Sequence, residues 1–175
     1  EYDDLLWTVL TGTDRSVHQG IMNDLKLVPG VLDVQVSHTL PLDSSSGNNV
    51  YLLDNGQENL FNIADQYCGS AGLFEMLEIP IIEGRYPQSP TEIAVSESFV
   101  EKMMEFRDWS DGAVGKQVYI TEHDDQIGAV TISGVYKDYR INTLTNQDTR
   151  ASIKFYGEVG KDHMPFMAIK VSEVT

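Results

Sequence analysis

The stretch Gly72-Leu73-Phe74-Glu75-Met76-Leu77-Glu78-Ile79-Pro80-Ile81-Ile82-Glu83-Gly84-Arg85 constrains this chain more than any other. It reads as a short amphipathic turn of helix, then an apolar strand, then a tight stop at Gly84-Arg85. Gly84 permits a turn after the strand, and Arg85 can pair with a carboxylate such as Glu83 or Glu92. Helical and extended patterns follow one another closely, as a mixed α/β chain requires.

The rest of the chain keeps that mixture. Residues 5–10 are an apolar run of strand length, and Thr13 or Asp14 can cap a helix after it. Val17, Ile21, Leu25 and Val28 fall on one face of that helix. Pro29-Gly30 ends it, since proline cannot continue the hydrogen-bond ladder. Residues 31–37 alternate as a strand, and the serine-rich stretch 41–49 is a polar loop. Asp54-Asn55-Gly56-Gln57 between two short apolar runs predicts a hairpin, because Asn and Gly tolerate positive φ. Residues 91–95 read as a buried strand. Ser96 then caps a helix with Phe99, Met103 and Phe106 inward and Val100 and Met104 widening that face. Strands over 114–120 and 127–135 flank a charged turn at 122–126, and two more cover 153–156 and 166–171. Without regular βαβα alternation the chain is α+β, not a doubly wound sheet.

The 175 residues, 41% of them hydrophobic, are enough for one sizeable core. The net charge of −15, from 27 acidic against 12 basic residues, excludes nucleic acid as a partner, since binding it needs a basic footprint. Anionic lipid surfaces are repelled for the same reason. Cys68 is the one cysteine, so no intramolecular disulfide can form. No stretch approaches the roughly 20 apolar residues that span a bilayer.

Several segments, in order along residues 28–144, resemble a single family. They are Val28-Pro29-Gly30-Val31 with Val34-Gln35-Val36-Ser37; the Gly72–Arg85 stretch; and Ile93-Ala94-Val95-Ser96-Glu97-Ser98-Phe99, with Ser96 where asparagine is usual. Gly112-Ala113-Val114-Gly115-Lys116-Gln117-Val118 and Ile132-Ser133-Gly134-Val135-Tyr136-Lys137-Asp138-Tyr139-Arg140, continued by Leu144, complete the set. The series is similar to the MacB-like periplasmic core domain of ABC transporter permeases of the MacB/FtsX type, in a spelling similar to Bacteroides-type members. The resemblance implies a two-lobed domain. An α/β lobe would form from both chain ends, roughly 1–53 plus 151–175, with a strand-rich lobe containing a helix, roughly 54–150, inserted between them. It implies a non-catalytic domain on the periplasmic side of the bacterial inner membrane, coupling ATP-driven motion of membrane helices to export or periplasmic work. Its partners would be its own transmembrane helices, a second permease copy, a cognate cytoplasmic ATPase domain, and a periplasmic adaptor or lipoprotein or peptide cargo. The isolated domain would be a monomer or weak dimer.

The motif residues Gly84, Arg85, Ser96, Gly115, Lys116, Gly134, Val135 and Asp138 carry structural roles in this reading, with no catalytic, cofactor-binding or metal site. Gly112 and Gly115 are too few for a phosphate cradle, so the ATPase lies outside this chain. His18, His38, His123 and His163 do not pair with one another or with Cys68 at zinc-like spacing. The alternatives are a ligand-, cargo- or adaptor-binding module, with Phe99, Met103, Met104 and Phe106 as an exposed patch, and a cysteine protease. The latter would use Cys68 in Gln66-Tyr67-Cys68-Gly69-Ser70 as nucleophile and His18 or His38 as base. A helix around His18 does not suit a double β-barrel protease.

Overall fold

Ile93, Ala94 and Val95 form an apolar run, and the strand they build, β7 (Glu92–Ser96), is buried on both faces. Such a strand needs neighbours on either edge and cover above and below. In the computed structural model β7 runs parallel to β9 (Ile127–Tyr136) on one edge and antiparallel to β10 (Ser152–Tyr156) on the other. The structure describes residues 4–10, 15–37, 48–52, 58–63, 65–70, 72–121, 127–138, 152–156 and 166–172.

The sheet grows outward from this centre. Beyond β9 come β8 (Gln117–Thr121), then the hairpin of β3 (Asn48–Tyr51) and β4 (Asn59–Ile63). Beyond β10 come β5 (Asp65–Gly69), β2 (Val31–Ser37), β11 (Phe166–Val171) and β1 (Leu5–Val9), while β6 (Ile81–Gly84) joins β9. Among the described residues eleven strands form a mixed sheet. Three helices complete the described elements: α1 (Arg15–Leu25), the single turn α2 (Leu73–Met76) and α3 (Glu97–Met104). The fold is α+β. Among the described residues, β2 and β5 are joined by a single register pair, Ser37 with Gly69.

The core has three parts. Phe99 and Met103 of α3 pack with Trp109, Ile120, Ile132 and their neighbours. Leu73, Phe74 and Met76 of α2 pack with Tyr86, Tyr136 and Ala168. Met22 of α1 packs with Leu10, Val34, Val36 and Met167. The short helix α3 is stabilised locally. Ser96 Oγ accepts from Phe99 N–H at 3.2 Å, with Glu97 in the first turn and Lys102 in the last.

Several expectations need correction. The inward face of α1 is not Val17, Ile21 and Val28, which are exposed; the helix buries His18 and Met22, with Leu25 half-buried. The two stripes lie side by side, one residue apart, and contact with β2 selects the second. Met104 is exposed, and Phe106 sits in the turn beyond α3, over a third exposed, with its ring 6.1 Å from that of Phe61. The patch Phe99, Met103, Met104, Phe106 therefore divides, its first two members fully in the core. Residues 65–69, for which the sequence predicts no element, form β5, and Asn48 and Asn49 belong to β3 instead of the polar loop. Val114 lies in a turn before β8. Thr13 and Asp14, most of the 41–49 loop, the turns at 54–57 and 122–126, Tyr139, Arg140, Leu144, His38, His123 and His163 lie outside the described residues.

Candidate functional site

β9 is long enough for two strands to share one of its edges. β8 pairs with residues 127–131 and β6 with residues 134–136, while β7 runs along the opposite edge. Two turns fill the gap. Gly115 N–H donates to Ile132 O at 2.8 Å and Ile132 N–H to Lys116 O at 2.9 Å; Arg85 N–H donates to Ser133 O at 2.9 Å. Gly84-Arg85, Gly115-Lys116 and Gly134-Val135, far apart in sequence, thus meet on three or four residues of one strand.

Two of the glycines are required by that meeting. At Gly134 a Cβ would stand 2.9 Å from the carbonyl carbon and amide nitrogen of Arg85 and closer still to its oxygen. Gly84 has φ +70°, and a Cβ there would press on Ser133 O and reach within 3.0 Å of Gly134 Cα. Val135 is buried opposite Val95 and Glu83. Ser133, which the sequence reading passed over, donates its hydroxyl to Arg85 O at 3.2 Å and Ile93 O at 3.1 Å. Its one signal was a serine in a largely apolar strand that also holds Thr131.

Arg85 is spoken for. Its Nη1 donates to Glu92 Oε2 at 2.9 Å and its Nη2 to Glu92 Oε1 at 2.5 Å, a two-pronged fork. Gln88 N–H also donates to Glu92 Oε2, at 2.9 Å. The hydrogen bond from Arg85, then that from Gln88, holds the Glu92 carboxyl below the usual carboxylate range. Lys116 Nζ lies 2.6 Å from Asp111 Oδ1 and lowers that carboxyl likewise. Asp138, just past β9, accepts from Ser98 Oγ at 3.0 Å and Ser98 N–H at 3.3 Å, while its own N–H donates to Glu97 Oε2 at 3.2 Å. The carboxylate therefore caps the first turn of α3 beside Ser96. Beneath β6, the buried Tyr86 hydroxyl donates to Ile79 O, and burial followed by the nearby Glu75 charge raises its pKa.

All eight motif residues thus lie around one end of β9. They tie β6, β7, β8, β9 and α3 together, with Arg85, Lys116 and Asp138 each engaged by an internal partner. Among the described residues no group of His, Cys, Asp and Glu could hold a metal ion. Cys68 is on β5, half-buried against two core clusters, where a strand and not an exposed loop surrounds it. Neighbouring Ser70 Oγ accepts from Val36 N–H at 3.0 Å and donates to Gln35 Oε1 at 2.5 Å. His18 is buried on α1, its Nε2 without a hydrogen-bond partner among the described residues.

No protein-family model matches this sequence, and no curated protein matches it by sequence. The structure does find a counterpart. It matches the crystal structure of the periplasmic region of MacB from Actinobacillus actinomycetemcomitans with a TM-score of 0.58, over 99% of this chain and 77% of that one, at 12% identity. The chain has the MacB periplasmic fold. Among the described residues no helix is long and apolar enough to cross a membrane.

The lowered Glu92 pKa has a consequence for stability. A carboxyl whose folded pKa is depressed stabilises the fold above its unfolded pKa of about 4.3, and that contribution is lost as pH falls through the folded value. Glu92→Gln is therefore expected to lower the unfolding temperature at neutral pH. Parent and variant should converge in acid. Thermal unfolding from about pH 7 to about pH 3 checks this, and parallel curves would count against it.

Proposed function

We propose that this chain is the extracytoplasmic core domain of a MacB-like ABC transporter permease. The observation that carries the reading is the likeness of fold over nearly the whole chain. The domain would stand on the periplasmic side of a bacterial inner membrane, joined to its own transmembrane helices and set against a second permease copy. ATP binding and hydrolysis in a cognate cytoplasmic ATPase domain would move those helices. The domain would pass that motion to a periplasmic adaptor or to lipoprotein or peptide cargo, without chemistry of its own. Internal pairing of Arg85, Lys116 and Asp138 supports a framework role for the motif residues. We retain the division into an end lobe, roughly 1–53 plus 151–175, and an inserted lobe, roughly 54–150.

A binding-module reading keeps the same fold. It is favoured by the exposed Val17 and Ile21 of α1 and by exposed Leu6 and Leu32 on the strands beside it, apolar surface of the kind that partners cover.

The test uses the parent transporter with Cys68→Ser and Leu27→Cys, since Leu27 is highly exposed. A membrane-impermeant maleimide should label Leu27→Cys in cells whose outer membrane alone has been opened. Spin labels there on two copies should change separation between nucleotide-free and vanadate-trapped states. Labelling only after lysis of the inner membrane, or an unchanged separation, would overturn the proposal.

A further inference from the structure

A cavity of about 490 Å³ opens between the end of α3 and the β3–β4–β8 edge of the sheet. Its walls are apolar: Leu52, Met103, Trp109 and Val118 are buried there, with Leu60 half-buried beside them. Among the described residues, two charged side chains line it, Arg107 and Lys116, and no carboxylate does. That lining runs against the molecule as a whole, which carries a net charge of −15. Lys116 is balanced by Asp111, which is outside the lining. Arg107 is not balanced. Its Nη1 donates to Phe106 O at 2.9 Å, and no carboxylate lies within ion-pair distance of it among the described residues.

We propose that this cavity binds a medium-chain aliphatic carboxylate. The volume is in the range of small-molecule sites. The chain would lie against Leu60, Met103, Trp109 and Val118, and the carboxylate would meet the unpaired Arg107 guanidinium, whose planar fork matches two oxygens. Lys116 also lines the cavity, its charge already met by Asp111. A cationic amphiphile would be drawn toward the acidic surface but would find no carboxylate among the described lining residues. The inference rests on the cavity alone and is independent of the transporter reading.

Trp109 lines the cavity and Trp7 does not, so the 175-residue chain with Trp7→Phe reports on the site through its remaining tryptophan. Decanoate, decanol and decyltrimethylammonium would each be titrated below their micelle concentrations. Decanoate should give a saturable change in Trp109 emission at lower concentration than the other two. Arg107→Gln should weaken decanoate about tenfold and leave decanol unchanged, as loss of a charge-assisted contact requires. Lys102→Gln, a cation on α3 outside the cavity, should behave as the parent. Any one of three results would overturn the proposal: no saturation by decanoate, equal affinity for the cationic amphiphile, or an Arg107→Gln variant that binds decanoate as the parent does. So would a short apolar peptide with a free carboxylate binding where decanoate fails.

Discussion

Gly134→Ala is expected to cost about 3 kcal/mol and to lower the unfolding temperature by roughly 6–12 °C. The added methyl has nowhere to go. It would stand against the Arg85 carbonyl and amide, which are backbone atoms and cannot rotate away as the end of a side chain does. Arg85 is also pinned, because its N–H donates to Ser133 O and its carbonyl accepts from Ser133 Oγ. Relief would require β6 to slide off β9, breaking the pairs Glu83 with Val135 and Gly84 with Gly134. Gly20→Ala is the control. It sits in α1 with nothing within 4 Å of a new Cβ, and should stabilise by about 0.5–1 kcal/mol because alanine is the better helix former. Circular dichroism melts of the two variants should move in opposite directions. An unchanged melt for Gly134→Ala would mean that β6 is not held to β9 as described.

The sequence carried different kinds of information with different success. Periodicity and turn residues placed most strands, because β-branched runs bounded by Gly, Asn and Asp have few other solutions. The pairing partner of each strand was not legible. β1 and β2 are separated by β11, which arrives from the far end of the chain. β5 escaped notice for the same reason. Asp65-Gln66-Tyr67-Cys68-Gly69 has little strand character of its own and is extended because β10 lies parallel to it. α1 shows the limit of helical spacing, since adjacent stripes both satisfied it and only packing against the sheet could choose. At the motif cluster, Arg85 had two candidate carboxylates. Glu92 wins the fork, while Glu83 lies on β6 opposite Val135. The role of Asp138 could not be read locally, because the helix turn it caps begins about forty residues earlier.

The convergence on β9 also separates likeness of fold from likeness of action. Glycines that allow close backbone approach, a capped helix and an internal Arg–Glu fork explain how these segments hold one another in a stable domain. They explain nothing about cargo. The features that bear on binding lie elsewhere, on the exposed face of α1 and in the cavity beside Arg107.

Phe99→Ala is expected to be the most damaging single truncation, costing about 3–5 kcal/mol. Phe99, in the first turn of α3, is fully buried in the largest core cluster among the described residues, with Ile93 and Val95 of β7 and Ile132 and Val135 of β9. Its ring lies 5.7 Å from Phe61 and 6.5 Å from Trp109, both tilted, so truncation removes aromatic contacts as well as volume. Phe61 and Trp109 are held by other elements and cannot both collapse into the space. Phe106→Ala, by contrast, removes a ring that is already 38% exposed and should cost less than about 1 kcal/mol. Urea titrations followed by tryptophan emission would compare the two variants directly. If Phe99→Ala cost no more than Phe106→Ala, the cluster would not be the close-packed centre that its burial implies, and the cavity beside Met103 and Trp109 would have to be larger and softer than described.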